Sequence, residues 1–504
     1  MSGTNGIHPG KETAEQLEHL RRLETEKAEA LIEEYLDRVC ARIRARELHP
    51  ELREEIRGHI DELLTEKEDE KIPPIEAAIW ALKQMGDADE IGGTLGQVHR
   101  PRFNWKLLLP LAAMIGLGLL ALFSLGSTGK GSYQYFNPGS RQLFYYVTGL
   151  VALVAGLFFD YRLLKKYAIA LYSAAVVLTV VFFSFDSPRV NGTLGWIGIG
   201  PLYFYWTLCM FVLLLLALPG LFERLSLKHE KWTSLRQIGS IGLIVLPVML
   251  YIYFDLLAWL LLIGYLAAAL TLYARYGGSR VYTYGLPASF AAWMAVLYVR
   301  NEYWQARIQS VFAPHLQTSN NNYLNDSIAA SVREGGWFGQ GFGSSGSRII
   351  YAYSDAILPY LTYSFGWIAA GVLVACTLWL IALLLHSTRK ITDRYGRSLA
   401  IGLSVLLACQ WIYGIGASFN LLPFTALTMP FIGYGGSSTV IHCAVLGLIM
   451  GIYRRKDMIS TRGKQAQKSD GDRLIFSIGG FELYDNRERR PDWIRVKPSF
   501  KKRS

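Results

Sequence analysis

Three segments of this 504-residue chain combine residue types that can do more than pack. The stretch from Val190-Asn191-Gly192 through Trp196 to Gly200-Pro201 joins a turn-forming Asn-Gly pair to an aromatic residue suited to a membrane interface. Tyr323 to Gly343 contains Gly335-Gly336-Trp337-Phe338-Gly339-Gln340-Gly341-Phe342-Gly343, whose glycines permit positive φ or close backbone approach. A phosphate-cradling loop is conceivable on that ground. The spacing is no Walker or Rossmann pattern and no βαβ context surrounds it, so nucleotide binding is rejected. Met429-Pro430-Phe431-Ile432-Gly433-Tyr434-Gly435-Gly436-Ser437-Ser438 combines a proline with three glycines. Such irregular backbone is tolerated at membrane depth only where protein or a cavity covers it. This segment is either a cavity wall near a substrate headgroup or a re-entrant turn with Ser437 or Ser438 capping the next helix. Neither a zinc site nor a disulfide framework is indicated, since the five cysteines show no CxxC and the nine histidines no HExxH or paired spacing.

The elements that must carry these segments follow from hydropathy. The chain is 51% hydrophobic and 18% charged, below the ~25% charge of an average soluble protein. Apolar runs fall at 106–126, 143–160, 166–185, 202–222, 239–254, 256–275, 282–299, 362–386, 398–418 and 438–453. The fold class expected is all-α: a polytopic membrane protein with about ten transmembrane helices and a small soluble helical N-terminal domain. One set of loops carries Arg162, Lys165 and Lys166, then Arg224, Lys228, Lys231 and Arg236, then Arg275 and Arg280, then Arg389 to Arg397, then Arg454 to Lys456. The alternate short loops carry only Lys130, Arg141 and Arg189. By the positive-inside rule both termini of this multi-pass protein are expected to be cytoplasmic. The net charge of +11 then reflects topology and headgroup contacts, and no nucleic-acid partner is expected.

Three domains are expected: a cytoplasmic helical prefix over 1–100, a membrane domain over 101–455 and a basic cytoplasmic tail over 456–504. The prefix begins polar and has no cleavable signal peptide pattern. Leu31, Ile32, Tyr35, Leu36 and Val39 recur at helical spacing, Pro73 and Pro74 break the pattern, and Asp87 is placed to cap a last short helix. The tail contains a candidate strand pair at 474–478 and 481–483. The long loop 300–361 is too aromatic and glycine-rich for a disordered connection, and is expected to fold back on the outer membrane surface.

Taken in order, these segments resemble the shape, elongation, division and sporulation family of the FtsW/RodA/SpoVE type, across residues 105–455. Phe159-Asp160-Tyr161-Arg162-Leu163-Leu164-Lys165-Lys166, Val190-Asn191-Gly192 with Trp196 and Gly200-Pro201, and Arg307-Ile308 with Phe312 and Pro314 each look like a family signature. Pro-Phe-Ile-Gly-Tyr-Gly-Gly-Ser-Ser at 430–438 is nearly the family's most recognisable string. The resemblance implies a peptidoglycan glycosyltransferase that polymerises lipid II outside the membrane, with a class B penicillin-binding protein as partner. It implies a bacterial cytoplasmic membrane as the location and places the essential carboxylate at Asp355, as general base toward an acceptor sugar hydroxyl. Arg307, Arg333 and Arg348 share the outer loop and would meet the lipid pyrophosphate, as would a divalent cation, Mg or Mn. Tyr434, Gly435, Gly436, Ser437, Ser438, Asn191 and Trp196 are the further substrate-binding candidates.

The chain departs from the family at several polar positions. Leu194 and Gly195 stand where two cations are usual, and Trp206-Thr207-Leu208 stands in place of Pro-Ser-Glu. Ser364-Phe365 stands where an acidic pair is expected before Gly366. Asp255 is the only acid near the lost Gln-Pro-Asp-Leu-Gly motif, and Gly414 replaces an Asn. Two further readings follow: a non-catalytic scaffold or regulator of a cell-wall synthase, and a transporter of lipid-linked precursor.

Overall fold

A computed structural model gives the fold. It describes every residue except 1–8, 44–48, 69–71, 99–102, 129–136, 185–194, 200–201, 227–233, 255, 257–258, 301–304, 306–308, 310, 313–322, 345–348, 423–427, 457–472, 479–480, 486–493 and 499–504. The chain divides into two compact units, Phe103–Arg454 and the remainder formed by Met1–Arg102 with Arg455–Ser504.

The prefix holds four helices: α1 Pro9–Ala41, α2 His49–Glu68, α3 Pro74–Met85 and α4 Ala88–Val98. The helical pattern expected over 11–68 is split, because α1 stops at Ala41 and α2 restarts at His49 with Pro50 in its first turn. Ile32, Leu36 and Val39 of α1 face Leu52, Ile56 and Ile60 of α2, Ala78 and Ala81 of α3, and Ile91 of α4. Each stripe repeats at three or four residues, so each helix buries one side. Asp87 Oδ1 accepts from the Asp89 N–H at 3.0 Å, as a cap should. Exposed ion pairs join Asp89 to Arg38 and Arg42 at 2.9 and 2.7 Å. In the tail, β3 Arg473–Ile478, β4 Phe481–Asp485 and β5 Ile494–Pro498 form an antiparallel sheet in that order, one strand more than the sequence pattern gives.

The membrane unit opens with α5 Leu108–Gly126, α6 Pro138–Phe158, the single turn α7 Arg162–Lys166 and α8 Ala168–Ser184. The strands β1 Trp196–Ile199 and β2 Leu202–Tyr205 follow as a hairpin, then α9 Trp206–Ser226, α10 Ser234–Tyr253, α11 Trp259–Arg275 and α12 Arg280–Arg300. The last elements are α13 Tyr323–Gly335, α14 Ile357–Arg389, α15 Arg394–Ser418 and α16 Gly436–Arg454. Each expected apolar run falls on one of these helices. Among the described residues seven helices are long and apolar enough to cross a membrane, while α8 and α11 are apolar but shorter. The protein is therefore an all-α polytopic membrane protein.

Two boundaries differ from expectation. Residues 202–205 extend as β2 instead of opening the fourth span, because pairing with β1 satisfies their backbone. The eighth span starts at Ile357, five residues early, and breaks at Gly366, where φ is 82°. A straight 33-residue helix would measure about 50 Å, against a hydrocarbon core of about 30 Å. The break sets Ile357–Phe365 apart as a half-helix. It also exposes backbone groups, which the glycine-rich segment after α13 covers. The Gln340 and Gly341 N–H groups donate to the carbonyls of Tyr363 and Ser364, each at 2.9 Å, and Trp367 N–H donates to Gly336 O at 2.9 Å. A Cβ on Gly366 would lie 2.1 Å from Trp337 O, so only glycine fits.

Candidate active site

Asp355 stands two residues before α14, in a tight turn held by Tyr351. Tyr351 adopts φ 60°, and its carbonyl accepts from the N–H groups of Ser354 at 3.0 Å and Ala356 at 3.2 Å. The carboxylate is 6% exposed. Among the described residues its Oδ2 has no hydrogen-bond partner. Burial pushes its pKa up to about 7, with the Ser354 hydroxyl opposing. A carboxyl that titrates there is suited to accept a proton at neutral pH.

The 430–438 string forms the other side of this turn. Tyr434 N–H donates to Tyr353 O at 2.7 Å, and the two rings meet edge-on with centroids 5.9 Å apart. Gly433 lies flat against Ser354, where a Cβ would come within 2.4 Å of Ser354 O. Phe431 sits at φ 66°, a strained backbone for a bulky residue. It is held there by the Tyr146 hydroxyl, which donates to Phe431 O at 3.0 Å. Trp411 Nε1 donates to Pro430 O at 3.2 Å.

The β1–β2 hairpin joins the same cluster. Ser437 Oγ accepts from Tyr205 N–H at 2.9 Å, and the Trp196 and Tyr205 rings lie 4.7 Å apart. Burial and the Asp355 charge both hold the Tyr205 phenol above its ordinary pKa, so the ring lies within the carboxylate's field. The serines thus contact the hairpin and, through Ser438 Oγ, Thr428 Oγ1 at 3.4 Å. Both serines lie inside the first turn of α16, which begins at Gly436.

Of the expected site residues, Asp355, Tyr434, Gly435, Gly436, Ser437, Ser438 and Trp196 come together around the Tyr351 turn. Asn191, Arg307, Arg348 and Asp255 lie outside the described residues. Arg333 is exposed on α13, one turn before the segment that covers the Gly366 break. Among the described residues no three His, Cys, Asp or Glu side chains gather to hold a metal ion.

Two neighbours have no signal in the local sequence pattern. Arg141, in the first turn of α6, lies beside the Tyr434 phenol. Burial pushes that phenol up to about 12, with Arg141 opposing. Tyr145, one turn on, meets the Tyr434 ring edge-on at 5.9 Å, which sets Arg141 and Tyr145 on one side of α6.

Residues 105–458 match the FtsW/RodA/SpoVE family of cell cycle proteins, and the chain belongs to that family. It is 28% identical over 353 residues to a probable peptidoglycan glycosyltransferase FtsW of Legionella pneumophila, covering 67% of this chain and 87% of that one. It is 24% identical over 386 residues to the protein of the same description from Trichlorobacter lovleyi, covering 72% and 97%. Two solved structures share the fold, each at 21% identity and over 70% of this chain. One is a chain from a study of how a peptidoglycan synthase complex coordinates polymerization and crosslinking, with a TM-score of 0.59 over 98% of that chain. The other is the rod shape determining protein RodA of Thermus thermophilus, with a TM-score of 0.50 over 97% of its length.

Proposed function

We propose that this protein is a peptidoglycan glycosyltransferase that polymerises lipid II at the outer face of a bacterial cytoplasmic membrane, with both termini cytoplasmic. The observation that carries the mechanism is the buried, half-unpartnered carboxylate of Asp355, set against the family's signature string. Asp355 takes the proton from the acceptor sugar hydroxyl. The freed oxygen bonds to the anomeric carbon of the donor strand, and the bond from that carbon to the lipid diphosphate breaks. The diphosphate leaves with the electron pair and needs a cation.

Arg141 is the described cation best placed for that role, since it stands at the signature beside Tyr434. A guanidinium matches a phosphate in two parallel hydrogen bonds. Arg307 of the outer loop is proposed to share that charge. Tyr434, Gly435, Gly436, Ser437, Ser438, Asn191 and Trp196 remain the proposed substrate-binding set. The partner proposed is a class B penicillin-binding protein, which would crosslink the strands made here. Membership of a family whose relatives include probable peptidoglycan glycosyltransferases supports this reading.

The test is polymerisation of lipid II by the purified full chain. Glycan polymer should form with the wild-type protein and fall by at least ~100-fold with Asp355→Asn, the scale set by losing a general base. Equal polymer from that variant would remove Asp355 from the mechanism. Loss of polymer in Asp355→Asn also separates this reading from a scaffold or a transporter, for which the carboxylate is dispensable.

A further inference from the structure

Gln142 is a fully buried polar residue in a helix whose other faces are mostly exposed. It is 0% exposed, while Phe144, Val147 and Val151 of α6 are 65%, 58% and 68% exposed. An amide taken out of water is costly unless both its ends are paired. Here both are: Oε1 accepts from Gly435 N–H at 3.1 Å, and Nε2 donates to Thr439 Oγ1 at 2.9 Å. The Gly435 N–H belongs to irregular backbone just before α16, where no helical partner exists for it. The Thr439 hydroxyl lies one turn into α16. One side chain thus ties the end of the signature to the helix that follows it. Tyr146, one turn further along α6, holds Phe431 O from the same side. On the opposite side the signature meets Asp355's turn, through Tyr434 N–H to Tyr353 O.

We propose that Gln142 is a positioning residue for glycan polymerisation: by fixing Gly435 and Thr439 it holds Tyr434 against Tyr353 and keeps the Asp355 turn closed. The proposal rests on the reading of Asp355 as the base. Gln142 itself touches neither Asp355 nor the reacting atoms. Glutamine suits the position because it both accepts and donates. A leucine of similar size does neither, and a glutamate cannot donate to Thr439 when ionised.

The test measures kcat, KM and the pH profile of lipid II polymerisation by the purified full chain. The variants are Gln142→Leu, Thr439→Val, Thr439→Ser and Asp355→Asn. Gln142→Leu should lower kcat roughly 10- to 100-fold, the scale of a small misplacement of a catalytic group, with KM changed less. Its acid limb should move below the wild-type position near pH 7, because an opened turn lets water reach the carboxylate. Thr439→Val, a milder change should Gln142→Leu fail to fold, should shift the limb in the same direction, and Thr439→Ser should restore it. A fall in kcat with the limb unmoved in both Gln142→Leu and Thr439→Val would mean general damage and overturn the proposal. So would a wild-type rate in Gln142→Leu. Failure of the Asp355 reading shows separately, as full activity in Asp355→Asn with Gln142 intact.

Discussion

Replacing Asp355 by asparagine should stabilise the protein at neutral and alkaline pH while removing its activity. In the folded chain burial raises the carboxyl from 3.8 to about 7, whereas the unfolded chain keeps the ordinary value. Between those two pH values the folded state holds a proton that the unfolded state has lost. Stability therefore falls as pH rises through that window, and is flat above it. At about 1.4 kcal/mol for each pH unit, the loss approaches about 4 kcal/mol. The side chain is 6% exposed, so solvent screens little of it. The asparagine variant has no such charge, and every other titrating group is common to both proteins. The informative quantity is the difference in thermal unfolding midpoint between the variant and wild type, in detergent from pH 4 to 9. It should be small near pH 4, grow by several degrees up to pH 7, and level off. A difference that is constant across pH, or that shrinks toward alkaline pH, would refute the argument that burial of a charged carboxylate sets this site.

The wild-type polymerisation rate should rise with pH along a limb centred near pH 7, since the deprotonated form of Asp355 is the active base; a limb near pH 4 would mean a solvated carboxylate. Gly366→Ala should cost about 1–3 kcal/mol from strain at φ 82° alone, and more from the clash with Trp337 O; faster proteolysis within 300–361 reports the loosened loop. Ser437→Ala should remove the bond to the Tyr205 N–H at a cost of about 1 kcal/mol, seen as a lower unfolding midpoint. Asp89→Asn should leave the unfolding midpoint of the prefix nearly unchanged despite the loss of its contacts with Arg38 and Arg42, because exposed pairs contribute little; a fall of many degrees would show that the pairs act as a network.

The membrane elements are legible in the sequence because hydropathy and length carry the physics of a span directly. Asp355 is legible only through the family resemblance, since a lone aspartate after a serine has no local signature. The glycines at 335–343 announce a close approach, yet what they approach is Thr362 to Ile368, which no spacing rule pairs with them. Gln142 lies just ahead of the apolar run 143–160 and carries no signal of its own; its partner Gly435 lies 293 residues away. Arg141 reads as a loop cation for the same reason. Arg333 shares the outer loop with Asp355 in sequence, and the structure places it exposed on α13. The β1–β2 hairpin escapes because Leu202 to Tyr205 is as apolar as the helix it precedes.

The covered break in α14 has a consequence for biosynthesis. A half-helix with open carbonyls at residues 363 and 364 is a poor substrate for the lipid phase, where each unmet backbone group costs several kcal/mol. Its cover, residues 336–341, precedes it in the chain by fewer than 30 positions. On the orientation proposed above, the cover has already crossed the membrane when α14 leaves the insertion machinery. The order of the two segments along the chain thus lets the broken helix meet its partner as it enters, without waiting for the later helices to arrive.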